Sequence, residues 1–229
     1  MPAPELVIFD CDGVLVDSEV IAARVEAEVL TKAGYEIDAA EVSERFAGLT
    51  FTDMLLRIEA ETGLPLQASI IARTEELIDK RLAAEVRPIE GARQAVASVT
   101  GPRCICSNSS TKRVKLSLTR AGLMPLFEGL IFSGLEIPSK RTKPAPDVFL
   151  HAAETLKADP KQSFVIEDSV HGVTGAKAAG MRVIGFTGAA HSYPGHADRL
   201  TEAGAETVIR RWAEFPAVLA ALSEWAEPL

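Results

Sequence analysis

Near its start the chain carries the sequence LVIFDCDG at residues 6–13, in which four apolar residues lead directly into two aspartates. A short run that is apolar throughout predicts a strand buried on both faces, as in a parallel sheet. The aspartates then stand where this strand ends. Because ligands of open α/β sheets bind at the carboxyl ends of the strands, the stretch predicts both a fold and a site at one edge of it.

Similar apolar runs recur along the chain. They lie at residues 103–106, 129–132, 163–166 and 181–186, with a weaker one at 207–209. Helical patterns separate them, at residues 91–99, 111–121, 146–156 and 170–179. Strands that alternate with helices predict an α/β fold, namely a doubly wound parallel sheet with a Rossmann-like core.

Residues 18–87 break this alternation. They contain helical patterns at 20–33, 39–46, 52–62 and 68–84 and no convincing strand. A loop between a strand and a helix normally has about 2–6 residues, so this segment predicts a second, smaller domain. We expect a catalytic core made of residues 1–17 plus 88–229 and a helical cap domain at 18–87, inserted after the first strand. Linkers near 17–20 and 87–91 would let the cap open and close.

The amino-acid composition limits the classes of binding partner and the cellular location that we expect. The net charge of −8 argues against a nucleic-acid or membrane-surface partner held by bulk charge. Three cysteines form no disulfide framework, and Cys104 and Cys106 are predicted to be buried core thiols. The N-terminus lacks the pattern of a signal peptide, and no stretch approaches the ~20 apolar residues of a membrane span. We expect a cytoplasmic monomer that binds a small molecule.

Polar clusters follow four of the predicted strands. They are DCDGVLVDS at 10–18, SNSS at 107–110, KPAPD at 143–147 and EDS at 167–169. Each has a structural alternative, because serines and aspartates also cap loops and helices and a lysine beside prolines can be solvated. In a parallel sheet, however, all four clusters converge on one edge. This convergence favours a shared functional site.

The residue types at that edge suit phosphate chemistry. Asp10, Asp12 and Asp168 would repel one another unless a cation lay between them, and an oxygen-only ligand set suits Mg²⁺. One carboxylate can attack phosphorus, and another can exchange a proton with the leaving or attacking oxygen. Lys143 can neutralise the transferring phosphoryl group. The pair Ser107-Asn108 can hold phosphate oxygens at a helix start.

With these residues in place, the chain resembles the haloacid dehalogenase superfamily over essentially its whole length. FDCDGVLVDSE at 9–19, CSNSS at 106–110, KPAPDVF at 143–149 and VIEDSVHGVTGAKAAGM at 165–181 resemble the four family motifs in order. The insert position is similar to that of the helical cap in the subgroup that includes sugar-phosphate phosphatases and β-phosphoglucomutase.

The resemblance implies a role for each motif residue. Asp10 would be the nucleophile that forms an aspartyl-phosphate, and Asp12 would be the acid/base. Magnesium would be held by the Asp10 side chain, the Asp12 backbone carbonyl and Asp168, with Glu167 as an accessory ligand. The implied phosphoryl-binding residues are Ser107, Asn108 and Lys143.

Two further observations indicate which reaction within the family is expected. Haloacid dehalogenases and phosphonate-cleaving relatives lack the second aspartate, so Asp12 indicates an oxygen leaving group that needs a proton. Mutases of the β-phosphoglucomutase type carry a histidine and an arginine at positions where this chain has Ala22 and Phe51. Both departures favour a phosphatase over a mutase. A non-catalytic phosphometabolite-binding protein is the third alternative, which the intact motif residues disfavour.

Substrate selection is expected in the cap. The loop FAGLT at 46–50 makes Gly48, which allows a tight turn, and Thr50 candidate specificity residues. Thr50 and Arg45 could reach a sugar hydroxyl or carboxylate, although both can equally be surface residues. The whole pattern is similar to bacterial phosphatases of small phosphorylated sugars and sugar acids, including 6-phosphogluconate phosphatases. A small phosphorylated metabolite is therefore the expected substrate. His191 and His196 are expected to lie in a glycine- and proline-containing loop without a ligand pattern.

Overall fold

A computed structural model describes residues 4–46, 49–64, 69–127 and 129–224. Its centre is a six-stranded sheet in the order β3-β2-β1-β4-β5-β6, in which all neighbours run parallel. The strands are β1 (Leu6–Phe9), β2 (Arg103–Ser107), β3 (Ile131–Ser133), β4 (Ser163–Glu167), β5 (Arg182–Phe186) and β6 (Thr207–Ile209). The predicted doubly wound parallel sheet is confirmed, with every predicted strand present.

Helices lie between the strands and in the long insert after β1. They are α1 (Glu19–Lys32), α2 (Ala39–Arg45), α3 (Phe51–Thr62), α4 (Ser69–Glu85), α5 (Ala92–Ser98), α6 (Thr111–Arg120), α7 (Asp147–Leu156), α8 (Val170–Ala178), α9 (His196–Ala203) and α10 (Phe215–Glu224). The expectation that His196 lies in a loop is wrong, because it begins α9. That helix starts after Gly195 and stops at Gly204, both with positive φ.

The sheet is covered on both faces, which explains why its strands are apolar throughout. Along β1, Val7 and Phe9 belong to one buried cluster, whereas Leu6 and Ile8 belong to another. Cys104 and Cys106 lie in the second cluster as free, buried thiols, as predicted. The first cluster is closed by Trp212, which stacks on Phe186 and donates its indole N–H to the Val14 carbonyl.

Helices α1–α4 form the insert and have a hydrophobic cluster of their own, drawn from residues 23–58. The chain leaves and returns side by side at the sheet edge. The Asp17 N–H donates to the Arg87 carbonyl, and the Ile89 N–H donates to the Leu15 carbonyl, each at 3.0 Å. This pairing places both connections of the insert beside the end of β1. The division into a core and a cap domain with a boundary at 18–87 stays a prediction.

Candidate active site

The strand order brings the four polar clusters to one edge of the sheet. Asp10 follows β1, which lies at the centre between β2 and β4. Ser107 ends β2, Glu167 ends β4, and Lys143 lies on the connection from β3 to α7. The chain order reverses at β1, and ligands bind at this kind of switch point in open α/β sheets.

Lys143 is the cation at the centre of the site. Its ammonium Nζ lies 2.5 Å from Asp10 Oδ1 and 2.5 Å from Glu167 Oε1, and it donates to the Cys106 carbonyl at 2.7 Å. Burial alone would lower the pKa of this ammonium, but the two carboxylates outweigh burial and raise the pKa above its usual value. Lys143 is therefore a permanent positive charge fixed against Asp10.

Asp10 nevertheless lies among more negative than positive groups. Burial raises the pKa of its carboxyl well above the usual value, Lys143 opposes this rise, and Glu167 and Asp168 add to it. A second cation beside these carboxylates would favour the ionised form of Asp10. An ionised carboxylate is the form that can act as a nucleophile.

Cys11 lies between the two aspartates of the loop but is not a reactive thiol. Its side chain is fully buried. Burial first, and then the charges of Asp12 and Asp10, raise the pKa of the thiol well above its usual value. Because the thiolate is the nucleophilic form of cysteine, the Cys11 thiol is a poor nucleophile at neutral pH.

Asp12 is held by serine hydroxyls. Its Oδ1 accepts a hydrogen bond from Ser18 Oγ at 2.7 Å, and its Oδ2 accepts one from Ser109 Oγ at 2.7 Å and a longer one from Ser107 Oγ at 3.5 Å. Ser107 Oγ in turn accepts from the Ser109 N–H. Sequence reasoning placed Ser107 here but missed Ser18 and Ser109 as partners of Asp12. Phosphoryl binding by Ser107 stays a prediction.

Asn108 fixes the loop that carries Lys143. Its side-chain oxygen accepts from the Lys143 N–H at 2.8 Å, and its side-chain nitrogen donates to the Lys143 carbonyl at 3.2 Å. Both bonds join the end of β2 to the backbone of Lys143. In this structure Asn108 therefore places the ammonium, while its predicted contact with phosphate stays a prediction.

Three buried carboxylates could hold a metal ion. Oxygens of Asp10, Glu167 and Asp168 lie within 4.8 Å of one another. Glycines leave the necessary room, because a Cβ at Gly13 would overlap Asp168 Oδ2 and a Cβ at Gly172 would overlap the Glu167 carboxylate. An oxygen-only set of this kind suits Mg²⁺.

This carboxylate cluster differs from the predicted set of metal ligands at two residues, Glu167 and Asp12. Glu167, expected as an accessory ligand, lies with Asp10 and Asp168, and within the described ranges the Asp12 side chain is not a member. The Asp12 carboxylate instead accepts hydrogen bonds from serine hydroxyls. A contribution from its backbone carbonyl stays a prediction.

Two histidines contact the site after β5, His191 from the loop and His196 from the first residue of α9. His191 Nε2 lies 3.0 Å from Asp168 Oδ2, and His196 Nε2 lies 2.6 Å from the Asp168 carbonyl oxygen. Burial would lower the pKa of His191, but its hydrogen bond to Asp168 and the nearby negative charges outweigh burial and raise the pKa. Burial lowers the pKa of His196. Their position just after a strand end was the signal that could have found them.

Glu19 lies near the site, at the start of α1. Its side chain stays accessible to solvent, yet protein surrounds it closely. This partial burial, followed by the charge of Asp12, raises the pKa of the carboxyl to about 8. The described part of the chain offers it no hydrogen bond or ion pair. Glu19 is thus a solvent-accessible carboxyl that lies near Asp12, Asp168 and His191.

The predicted specificity residues of the insert are less informative. Thr50 is exposed and caps α3, since its hydroxyl accepts from the Asp53 N–H and donates to the Asp53 carboxylate. Arg45 pairs with Glu61 at 3.3 Å on the surface. Gly48 lies outside the described residues. Substrate selection by Gly48 and Thr50 stays a prediction.

Comparison with known proteins identifies the family. The model of the haloacid dehalogenase-like hydrolases matches residues 7–186, from β1 to the end of β5. The chain belongs to this family. The matched span of the haloacid dehalogenase-like hydrolase contains every sequence-predicted site residue, whereas His191 and His196 lie beyond it.

Individual relatives agree with this assignment. The chain is 32% identical over 193 residues to 6-phosphogluconate phosphatase of Escherichia coli, covering 83% of this chain and 86% of that one. A conserved haloacid dehalogenase-like protein of unknown function from Agrobacterium tumefaciens is 55% identical, with a TM-score of 0.90 over 96% of this chain and 99% of that one. A family hydrolase from Deinococcus radiodurans, solved with bound phosphate and sodium, is 33% identical, with a TM-score of 0.81 over 100% of both chains.

A helix that crosses a bilayer must be both long and apolar. In the part of the chain that the structure describes, no helix combines the length and apolar character that a bilayer crossing requires.

Proposed function

We propose that this haloacid dehalogenase-like hydrolase is a Mg²⁺-dependent phosphatase that releases phosphate from a small phosphorylated metabolite through an aspartyl-phosphate on Asp10. The observation that carries the proposal is the fixed contact between the Lys143 ammonium and Asp10 Oδ1 at 2.5 Å, beside a cluster of three buried carboxylates. This arrangement suits attack on a phosphate ester, because phosphoryl transfer depends mainly on positioning and charge neutralisation.

In the first step an Asp10 carboxylate oxygen attacks phosphorus and the bond from phosphorus to the leaving oxygen breaks. Asp12 donates its proton to that oxygen, so that an alcohol departs rather than an alkoxide. Ser18 and Ser109 hold Asp12 in place, with their hydroxyl oxygens each 2.7 Å from its carboxylate. Lys143 stays protonated throughout and stabilises the negative charge that gathers around phosphorus.

In the second step Asp12, now ionised, takes a proton from water. The water oxygen attacks phosphorus, the bond from phosphorus to Asp10 breaks, and inorganic phosphate leaves. Asp10 returns as a carboxylate and Asp12 returns as an acid. Both steps use the same two carboxyl groups, which fits their placement two residues apart at the end of β1.

Magnesium fits the donor set of the site. Asp10, Glu167 and Asp168 would hold it through carboxylate oxygens. When bound, it would supply positive charge for the phosphate oxygens and for the crowded carboxylates. The phosphate and sodium reported for the Deinococcus radiodurans relative support a site of this kind.

We place the substrate among sugar or sugar-acid phosphates. The E. coli relative, named for its action on 6-phosphogluconate, supports this class. The solvent-accessible Glu19 carboxyl near Asp12 also suits it, because a carboxyl group accepts hydrogen bonds from substrate hydroxyls. Residues 18–87 would act as the cap that closes over the substrate.

Hydrolysis is favoured over phosphoryl transfer between two positions of a sugar. The position that carries a phosphate-holding arginine in mutases is Phe51 here, a half-buried side chain packed against hydrophobic residues of both the core and the insert. Incubation with β-glucose 1-phosphate and a trace of its bisphosphate distinguishes the two. Formation of glucose 6-phosphate without free phosphate would establish the mutase instead.

The central test is phosphate release from p-nitrophenyl phosphate with and without Mg²⁺. Asp10→Asn keeps the shape of the side chain but removes the nucleophile, so the rate is expected to fall more than about 10³-fold. Removal of Mg²⁺ with EDTA should abolish activity of the unmodified enzyme. Cys11→Ala is the matched control and should keep the chemistry. Undiminished activity in Asp10→Asn would refute the nucleophile assignment.

A further inference from the structure

The loop after β5 and the helix that follows it contact Asp168 at two points, although the sequence predicted no function for either. Residues 187–195 connect β5 to α9, which begins at His196. His196 Nε2 contacts the Asp168 carbonyl oxygen, and His191 Nε2 contacts its carboxylate. One residue of the proposed metal cluster is thereby held by backbone and by side chain at once.

The His196 ring is fixed in orientation. A carbonyl oxygen only accepts hydrogen bonds, so the nitrogen 2.6 Å from Asp168 O carries the proton. The opposite nitrogen, Nδ1, lies 3.3 Å from Ser192 Oγ. Tyr193 stacks on the ring, with centroids 4.6 Å apart and planes 12° from parallel. The ring, 5% exposed as a residue, therefore has one orientation available.

His191 is confined between Asp168 and the first motif. Its Nε2 lies 3.0 Å from Asp168 Oδ2, and its ring meets the His196 ring edge to face at 5.9 Å. A Cβ at Gly13 would overlap both Asp168 Oδ2 and the His191 ring. The absence of a side chain at Gly13 is what allows this contact. Its other ring nitrogen, Nδ1, is buried and makes no hydrogen bond within the described residues.

The loop is also anchored away from Asp168. The Ala190 N–H donates to Asp17 Oδ1 at 3.2 Å, and the Thr187 N–H donates to the Ile209 carbonyl at 3.0 Å. These bonds join the loop to the first motif and to β6. The two histidines are thus placed by the core of the protein and do not depend on a substrate to position them.

From these contacts we infer that His191 and His196 are positioning residues that hold Asp168 in the orientation in which it binds Mg²⁺, an inference that rests on the proposed function. Carboxylate ligands are commonly oriented by hydrogen bonds from outside the ligand shell, and loss of such a partner costs about 10–100-fold in metal affinity or activity. Neither histidine contacts the reacting atoms. Their effect reaches the reaction only through Asp168.

Variants at position 191 separate positioning from packing. His191→Leu removes the donor to Asp168 and keeps an apolar side chain of moderate size. His191→Gln keeps a nitrogen donor at similar reach. His151→Leu is the matched control, because His151 lies on α7 and packs edge to face on Phe132, away from the acidic cluster.

The measurement is the dissociation constant for Mg²⁺ alone, obtained from the rise of the thermal unfolding midpoint as MgCl₂ is added to metal-free protein. We expect about 10–100-fold weaker binding in His191→Leu, recovery of most of that loss in His191→Gln, and no change in His151→Leu. In assays with p-nitrophenyl phosphate, the Mg²⁺ concentration for half-maximal rate should rise in His191→Leu, while kcat at saturating Mg²⁺ changes little.

The outcomes distinguish the inference from the function it rests on. Equal Mg²⁺ affinity in His191→Leu and the unmodified protein overturns the positioning role and leaves the phosphatase proposal intact. Equal weakening in His191→Leu and His191→Gln also overturns it, since packing alone would then explain the effect. Failure of the unmodified protein to bind Mg²⁺ overturns the proposed function and the inference together.

Discussion

The catalytic edge of the sheet and the helical insert use charge in opposite ways. At the edge, the side chains of Lys143 and Asp10 are 3% and 10% exposed and lie 2.5 Å apart. In the insert, the paired side chains of Arg45 and Glu61 are 42% and 37% exposed and lie 3.3 Å apart. Buried pairs are costly to break, whereas exposed pairs contribute about 0–1 kcal/mol. The chemistry is therefore fixed in the rigid part, while the surface of the insert can vary at little cost to the fold.

The largest effect on stability and activity is expected when the buried cation, Lys143, is removed. Lys143→Met leaves Asp10 and Glu167 buried without their counter-charge, so we expect a loss of about 3–5 kcal/mol in the free energy of unfolding without metal. We also expect a fall of about 10³-fold in kcat, since a fixed group that stabilises the transition state is gone. Urea unfolding and phosphate release measure the two effects.

The exposed Lys115 on α6 provides the matched control. Lys115→Met should change the free energy of unfolding by less than about 0.5 kcal/mol and leave kcat unaltered. If Lys143→Met were as stable and active as this control, the buried ion pairs of Lys143 would contribute no more to stability and catalysis than an exposed lysine does.

The second prediction concerns the division of labour at the same edge. Asp12→Asn cannot protonate a leaving oxygen, so its rate with an alkyl phosphate should fall about 10²-fold or more. A nitrophenolate leaving group needs no proton. With p-nitrophenyl phosphate, Asp12→Asn should therefore release a burst of nitrophenolate equal to the enzyme concentration, followed by slow turnover.

Asp198→Asn serves as its control, because Asp198 is an exposed residue in the first turn of α9 and lies outside the four motifs. It should keep wild-type turnover with both substrates. Equal losses for the alkyl and aryl esters in Asp12→Asn, without a burst, would contradict the acid role.

These residues also show how far sequence reasoning reaches. LVIF at residues 6–9 was predicted as a buried strand, and β1 has the same bounds because apolar runs of this length suit a two-sided sheet. The four helices of the insert were placed to within one residue at every end. Local pattern and the rule that strand ends converge were sufficient for the fold and for the position of the acidic cluster.

The contacts that fix the site were out of reach, because they join residues far apart in sequence. His191 reaches Asp168 across 23 positions, and Ser109 reaches Asp12 across 97. Asn108 was predicted to hold phosphate from its place in a motif, yet its side chain bonds the backbone of Lys143. Motif position identifies which residues gather, whereas packing decides which of them face one another.

A third, smaller effect is expected where the insert meets the core. Glu26 on α1 is half-buried, and burial raises the pKa of its carboxyl from 4.5 to about 7, with Arg113 opposing. Between about pH 4.5 and 7 the Glu26 carboxyl is ionised in the unfolded chain but still protonated in the folded protein. The free energy of unfolding therefore falls as pH rises from about 4.5 to 7 and stays constant above about pH 7. Glu26→Gln lacks this loss and should be more stable by about 1–2 kcal/mol at pH 8, after discounting for partial exposure.

Urea unfolding at pH 5, 6, 7 and 8 tests the direction of this change in stability with pH. The advantage of Glu26→Gln should grow up to pH 7 and then stay constant. Glu36→Gln, an exposed change in the same insert, should show no such trend. An advantage for Glu26→Gln that shrinks with rising pH would reverse the argument.

The smallest effect is expected at Thr50, and it bears on whether the insert selects the substrate there. Its hydroxyl caps α3, so Thr50→Ala should cost about 1 kcal/mol in stability and Thr50→Ser very little. If the cap is its only role, KM for a sugar phosphate should be the same in both variants. A rise in KM in Thr50→Ala that Thr50→Ser restores, measured well below the unfolding temperature, would instead mean that the hydroxyl leaves its cap to contact substrate. The exposed surface of the insert would then contribute to specificity even though its charges contribute little to the fold.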